Sequence, residues 1–288
     1  MTTRVDLPPV VSVDGQRPSV KPSVLSCRLA VALAVVTTVA CALTFFLPDV
    51  LVGPDVMNGS ARGTAIVVLL VTVPVLVVGL ARTDRGSAFG LLLVLGSVAH
   101  VLYQSVLFLF ATPFNDLFLL YLAMFALALW TAIALVASVD LRAVRARIHA
   151  GVPARPIAIF VWAVVVLNAI AWLGTIVPWL LEDGFPVFLG EAGLTTNPIH
   201  VQDLAFWLPL MALGAWWLWR GRDRGYVLIG AMLTMWLLES VTVAVDQWMG
   251  SSADPASDVA TMAGAWLFVG MALATVVPWV AFYRRVER

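Results

Sequence analysis

Eight separate stretches of this chain are each long and apolar enough to cross a lipid bilayer, at residues 28–47, 63–81, 88–110, 114–138, 157–181, 202–219, 226–248 and 259–282. A hydrocarbon layer about 30 Å thick takes about 20 residues of helix. No water is present there to satisfy backbone N–H and C=O groups, so each stretch must close its own hydrogen bonds as a helix. The predicted fold is therefore all-α, an eight-helix transmembrane bundle. Composition agrees: 61% of residues are apolar, 12% are charged and the formal net charge is zero. A soluble domain carries about 25% charge. These values exclude a soluble globular enzyme, a disordered chain and a basic nucleic-acid-binding surface.

Charge sets the orientation. With the N-terminus inside, 16 of the 17 basic residues fall in inner segments, and only Arg62 lies in an outer loop. The outer loops hold Asp49, Asp55, Asp116, Glu182, Asp183, Glu191, Asp254 and Asp258 instead. The positive-inside rule reads this bias as both termini cytoplasmic. Trp179 and Trp248 fall at outer helix ends. Trp162, Trp216, Trp217, Trp219, Tyr226, Trp279 and Tyr283 fall near inner ends, the headgroup depth that amphipathic rings prefer. Residues 1–27, with Pro8, Pro9, Pro18 and Pro22, read as a disordered cytoplasmic tail. A cleaved signal peptide is not expected, because its apolar core is usually about 7–15 residues. Residues 28–282 read as one transmembrane domain and 283–288 as a short cytoplasmic end. The sequon Asn58-Gly59-Ser60 reads as a turn in an outer loop.

Single residue types exclude further chemistry. Cys27 and Cys41 lie 14 residues apart in one helix, about 21 Å along its axis, too far for a disulfide. Lys21 is the only lysine, so neither an intramembrane Schiff base nor a GxxxxGK phosphate loop can form. There is no CxxC, no HExxH and no GxSxG, and the expectation is no metal and no cofactor. The excess of Arg over Lys, with abundant Ala and Val, points to a GC-rich bacterial genome and so to the bacterial cytoplasmic membrane.

Polar residues inside spans are costly, which makes each a candidate for function. The third span carries His100, Tyr103 and Gln104 on one face by their i, i+3, i+4 spacing. The seventh carries Glu239 near mid-span, with Asp246 at i+7 on the same face, and the fifth carries Asn168. His100, Asn168 and Glu239 are expected at one depth. Toward the outside, Tyr121 near the start of the fourth span joins His200 and Asp203 at the start of the sixth. Together they would line a polar funnel narrowing at His100 and Glu239. Each also has a plainer role open to it: Tyr103, Gln104 and Asn168 as interhelical hydrogen-bond donors and acceptors, Asp116 and Asp203 as helix caps. A carboxyl at the depth of Glu239 must be protonated, paired with a protonated His100, or hydrated by a cavity. Asp84-Arg85-Gly86 and Asp223-Arg224-Gly225 recur 139 residues apart, which raises a 4+4 parallel repeat.

The stretches YQSVLFLFATPFNDLFLLYLAMF (103–125), NPIHVQDLAFWLPL (197–210) and RGRDRGYVLIG (220–230) resemble an uncharacterised group of bacterial eight-span integral membrane proteins. The resemblance covers the third to fourth and sixth to seventh spans. It implies no activity, but it directs attention to the outer ends of the fourth and sixth spans. The leading functional expectation is binding or transport of a small solute or a proton through an outward-facing polar cavity, by Glu239, His100, Tyr103, Gln104, Asn168, Tyr121, His200, Asp203 and Asp246. An intramembrane enzyme acting on a lipid-soluble substrate and a non-catalytic scaffold or accessory subunit are the alternatives. The expected partners are the bilayer and a small molecule or proton, with no nucleic acid.

The charge bias generates a direct test. A cysteine at Gly190 is expected to react with a membrane-impermeant thiol reagent in intact cells, and one at Ala150 is not; the reverse pattern would invert the orientation.

Overall fold

Glycine and serine decide where the apolar stretches become helices and how closely those helices approach. The structure, a computed structural model, describes residues 20–47, 49–181 and 183–287. Among them are eight helices long and apolar enough to cross a membrane: α1 (Val24–Phe46), α2 (Asp55–Asp84), α3 (Ala88–Phe110), α4 (Phe118–Ser138), α5 (Ala154–Leu181), α6 (Pro198–Trp219), α7 (Asp223–Ala253) and α8 (Met262–Tyr283). Two short helices, Leu141–Ala146 and Val187–Glu191, precede α5 and α6. No strand forms among the described residues, only a single bridge between Ile148 and Val286. Hydroxyl side chains cap three helices: Ser23 accepts from Ser26 N at α1, Ser87 from Gly90 N at α3, and Thr261 from Gly264 N at α8.

Several helices begin earlier than the apolar pattern implies. Most of the expected tail, residues 1–19, lies outside the described residues, but α1 already starts at Val24 and Val20 is buried. The helix α2 starts at Asp55, so Arg62 and the sequon sit within it rather than in an outer loop. Asn58 there bonds back to Gly53, with Nδ2 donating to Gly53 O at 2.8 Å. Neither predicted aspartate cap forms. Asn115 Oδ1 accepts from Leu117 N before α4, and Asn197 caps α6, which leaves Asp203 inside the helix. The two cysteines are free, as their shared helix requires.

The reason for the early start of α2 is packing. Gly59-Ser60-Ala61-Arg62-Gly63 is a GxxxG sequence, which lets two helix backbones touch. A Cβ on Gly59 would lie 2.6 Å from Met249 O, and one on Gly63 would lie 2.7 Å from Asp246 Cα. From the other side, a Cβ on Gly250 would lie 3.0 Å from Val56 O. The helices α3 and α7 form the centre: 78% of their most apolar stretches is buried, against 22% in α5 and α8. Leu180, Leu181, Trp266, Leu273 and Val277 on those outer helices stay exposed, as lipid-facing side chains would.

The first and last described residues lie on one face of the bundle, where Lys21 and Pro22 share a pocket with Thr83 and Asp84. Glu287 accepts from Ser87 Oγ and Ala88 N, and His149 N donates to Arg285 O at 2.8 Å. The opposite face carries the connections around residues 49–54, 111–117, 183–197 and 254–261.

One set of features occurs twice at a spacing of 135 residues. Wide π-helical turns interrupt α2 at Val68–Thr72 and α6 at Asp203–Trp207, each followed by a proline, Pro74 and Pro209. Proline has no N–H to donate, and a π turn absorbs the interrupted hydrogen-bond ladder. An arginine then caps the end of each helix, Arg85 and Arg220, followed by a glycine with positive φ, Gly86 (80°) and Gly221 (67°). Gly90 then packs against Thr83 N, and Gly225 against Leu218 N. Arg82 lies over the ring of Phe89, and 135 residues later Arg224 lies over Trp217, with cation and ring exchanged. The Asp-Arg-Gly match at 139 residues does not fall on equivalent places, because Asp84 ends α2 whereas Asp223 opens α7.

Replacing Gly59 by Leu is expected to destabilise the protein by about 1–3 kcal/mol or more through overpacking, measured by thermal unfolding in detergent. Gly174→Ala on α5, where a Cβ meets nothing within 4 Å, is expected to leave the melting temperature unchanged or raise it.

Candidate functional site: a cavity that ends at Glu239

Two of the residues singled out in the sequence, His100 and Glu239, touch: His100 Nε2 lies 3.3 Å from Glu239 Oε2. Gln104, one turn from His100 on α3, donates from Nε2 to the same carboxylate oxygen at 2.5 Å. The contact joins α3 to α7 at the centre of the bundle, where His100 is fully buried and Glu239 retains 5% exposure. Two threonines that carry no sequence signal complete the imidazole. Thr242 Oγ1 donates to Leu238 O at 2.9 Å, so it accepts from His100 Nε2 at 3.1 Å. Thr72 Oγ1, at the end of the π turn of α2, lies 3.1 Å from His100 Nδ1 and can donate to it. This set satisfies a neutral imidazole with its proton on Nε2, with no need for an ion pair. Gln104 Oε1 is buried with no partner.

Glu239 also faces a cavity of about 440 Å³. The cavity runs from the face opposite the chain ends, past Met57, Phe188 and Val259, down to Tyr103 and Glu239. Asn168, His200, Asp203 and Asp246 also line it. Asp203 Oδ2 accepts from Trp172 Nε1 at 2.9 Å, and its carboxylate interacts with the Tyr103 hydroxyl. The three carboxyl groups of Asp203, Glu239 and Asp246 are close enough to interact electrostatically through the space around Tyr103. No lysine or arginine is among the described lining residues. His200 is buried against tryptophan rings, with centroids 4.8 Å from Trp172 and 5.7 Å from Trp179.

The remaining polar residues divide. Asn168 lines the cavity but turns its amide back to Val164 O at 2.8 Å. Tyr121 lies elsewhere: its hydroxyl bonds Thr44 Oγ1 at 2.7 Å, its ring stacks on Phe108 at 5.0 Å, and it joins α4 to α1. The aromatic wall of Trp172, Trp179 and Trp236 was not legible beforehand, because tryptophans in an apolar span read first as packing or headgroup anchors. Among the described residues no group of three or more His, Cys, Asp or Glu could hold a metal ion. No family model, curated protein or solved structure matches the chain.

Removing the Thr242 hydroxyl leaves His100 Nε2 with the Glu239 carboxylate, 3.3 Å away, as its acceptor, and is expected to cost about 1 kcal/mol, the usual net worth of one hydrogen bond. The melting temperature of Thr242→Val in detergent measures this. Tyr121→Phe is expected to cost about 1 kcal/mol or less, since the Thr44 hydroxyl still bonds Ala40 O.

Proposed function

We propose that the protein binds and transfers a small solute or a proton through this cavity, with Glu239 as the group that gains and loses the proton. The observation that carries the reading is the double position of Glu239. One carboxylate oxygen is held by Gln104 beside His100, while the residue lines a cavity leading to the face opposite the chain ends. Such a carboxyl can exchange a proton with a cavity solute while the buried network holds its orientation. Intramembrane carboxyl groups serve this purpose in pumps and transporters. The 16-to-1 division of basic residues supports a cavity mouth on the outer side of a bacterial cytoplasmic membrane.

We further infer that the two halves are parallel repeats related by an axis along the membrane normal, at an offset of 135 residues. The recurring π turns, prolines and turn glycines support this. So does contact between equivalent positions, expected only where two repeats meet at their axis. Gln104 donates to Glu239, and a Cβ on Gly96 would lie 2.6 Å from Ala231 O. On this reading the proton-exchanging group sits at the repeat interface, as binding sites do in repeat-built transporters. One half bears an amide there and the other an acid, so the pair at the axis has a single titrating member.

The test is reconstitution in sealed proteoliposomes on a solid-supported membrane. Cationic, zwitterionic, anionic and neutral solutes are applied in turn. Wild type is expected to give a transient current with at least one class, and Glu239→Gln is expected to lose it while keeping its melting temperature within a few degrees. Absence of current with every class, or unchanged current in Glu239→Gln, would overturn the reading. A chemical change in co-reconstituted lipid that depends on Glu239 would replace it with an enzyme.

A further inference from the structure

The chemistry of the cavity walls narrows the ligand class. Three carboxyl groups, on Asp203, Glu239 and Asp246, converge on a space with no basic residue among its described lining. Burying like charges together is unfavourable unless they take up protons or something of opposite charge joins them. Among the described residues, the side-chain donor to Asp203 is the neutral indole of Trp172. The side-chain partner of Asp246 is the neutral amide of Gln247, at 3.2 Å. The same cavity is lined by Trp172, Trp179 and Trp236. Aromatic faces carry negative charge density and attract cations that have lost part of their water. Trp236, 8% exposed, completes the wall, with its indole nitrogen buried away from the open space. The volume of about 440 Å³ lies within the range of small-molecule sites.

Resting on the transport reading above, we propose that the cavity is a site for a small organic cation, its charged end between Asp203, Asp246 and the tryptophan rings. An inorganic cation would leave the aromatic wall unused, and an anion would meet three acids.

The test uses three probes of nearly one shape: choline, its neutral isostere 3,3-dimethyl-1-butanol, and the anion 3,3-dimethylbutanoate. Binding to the full-length protein in detergent is read from the intrinsic fluorescence of the cavity tryptophans. Choline is expected to bind saturably, the neutral isostere at least about tenfold more weakly, and the anion not at all, because only the cation gains both the carboxylate and ring terms. Asp203→Asn is expected to weaken choline binding about tenfold. Trp179→Leu, which removes a ring and no charge, is expected to weaken it by several-fold and serves if the aspartate variant does not fold. Equal or tighter binding of the neutral or anionic probe, or binding of none of the three, would overturn the proposal. The outcomes separate it from the transport reading. Glu239-dependent current with a neutral or anionic solute and no choline binding would keep transport and remove the cation site. Choline binding without any Glu239-dependent current would keep the site and remove transport.

Discussion

The structure depends on how closely the backbone of α7 can approach its neighbours. In an apolar layer there is no hydrophobic gain in burying one helix against another, so association rests on close packing and on interhelical hydrogen bonds. Both occur along α7. Gly59 and Gly63 of α2 lie against Met249 and Asp246, Gly250 of α7 lies against Val56, and Gly96 of α3 lies against Ala231 and Thr234. These contacts leave no room for a Cβ. They bring the side chains between them to hydrogen-bonding distance, so the His100–Gln104–Glu239 cluster follows from the glycines that flank it.

The same approach explains why Thr72 reaches His100. A regular helix through Pro74 would lack a hydrogen bond at that turn. The π turn over Val68–Thr72 takes up the difference and leaves Thr72 fully buried, with its hydroxyl 3.1 Å from Nδ1. In α6 the corresponding turn over Asp203–Trp207 has another use. Asp203 is directed at Trp172 and Tyr103, and Trp207 packs against Tyr103 with ring centroids 6.0 Å apart. One backbone device thus serves the buried network in one half of the chain and the cavity wall in the other. The helices around it differ as well. α1 packs on both α2 and α4, whereas α5 has extensive contact with α6 alone. The cavity lies where α5 stands away from the remaining helices, with Asn168, Trp172, Thr175 and Trp179 along its inner side.

Hydropathy alone was sufficient for the number of helices and for their all-α character, because a bilayer admits no other answer for eight such stretches. The polar residues of α3 and α7 were also visible in one dimension. An ionisable group surrounded by Leu, Val and Ala stands out, and helical periodicity places His100 and Gln104 on one face. Helix ends were less legible. Asn58, Gly59, Ser60 and Arg62 look like loop residues by polarity, yet they lie in α2, where Gly59 and Gly63 permit backbone contact with α7. The offset of 139 residues came from matching letters in a turn. The spacing of 135 emerges only when prolines, positive-φ glycines and interhelical contacts are compared, since these record backbone geometry rather than residue identity.

By itself the sequence determined that the chain has eight stretches apolar enough to cross a membrane as helices, that its basic residues lie almost wholly outside them and between alternate stretches, and that a few acids and a histidine interrupt them. These follow from the free energy of transferring side chains and backbone out of water, which depends on local composition. Tertiary structure decided which buried polar residues meet. It joined Glu239 to Gln104 and His100, assigned Tyr121 to Thr44, and set Trp172, Trp179 and Trp236 around three carboxyl groups. Those outcomes depend on the rotation and separation of helices far apart in sequence, which close glycine contacts and two π turns set in three dimensions and which no single stretch of the chain encodes.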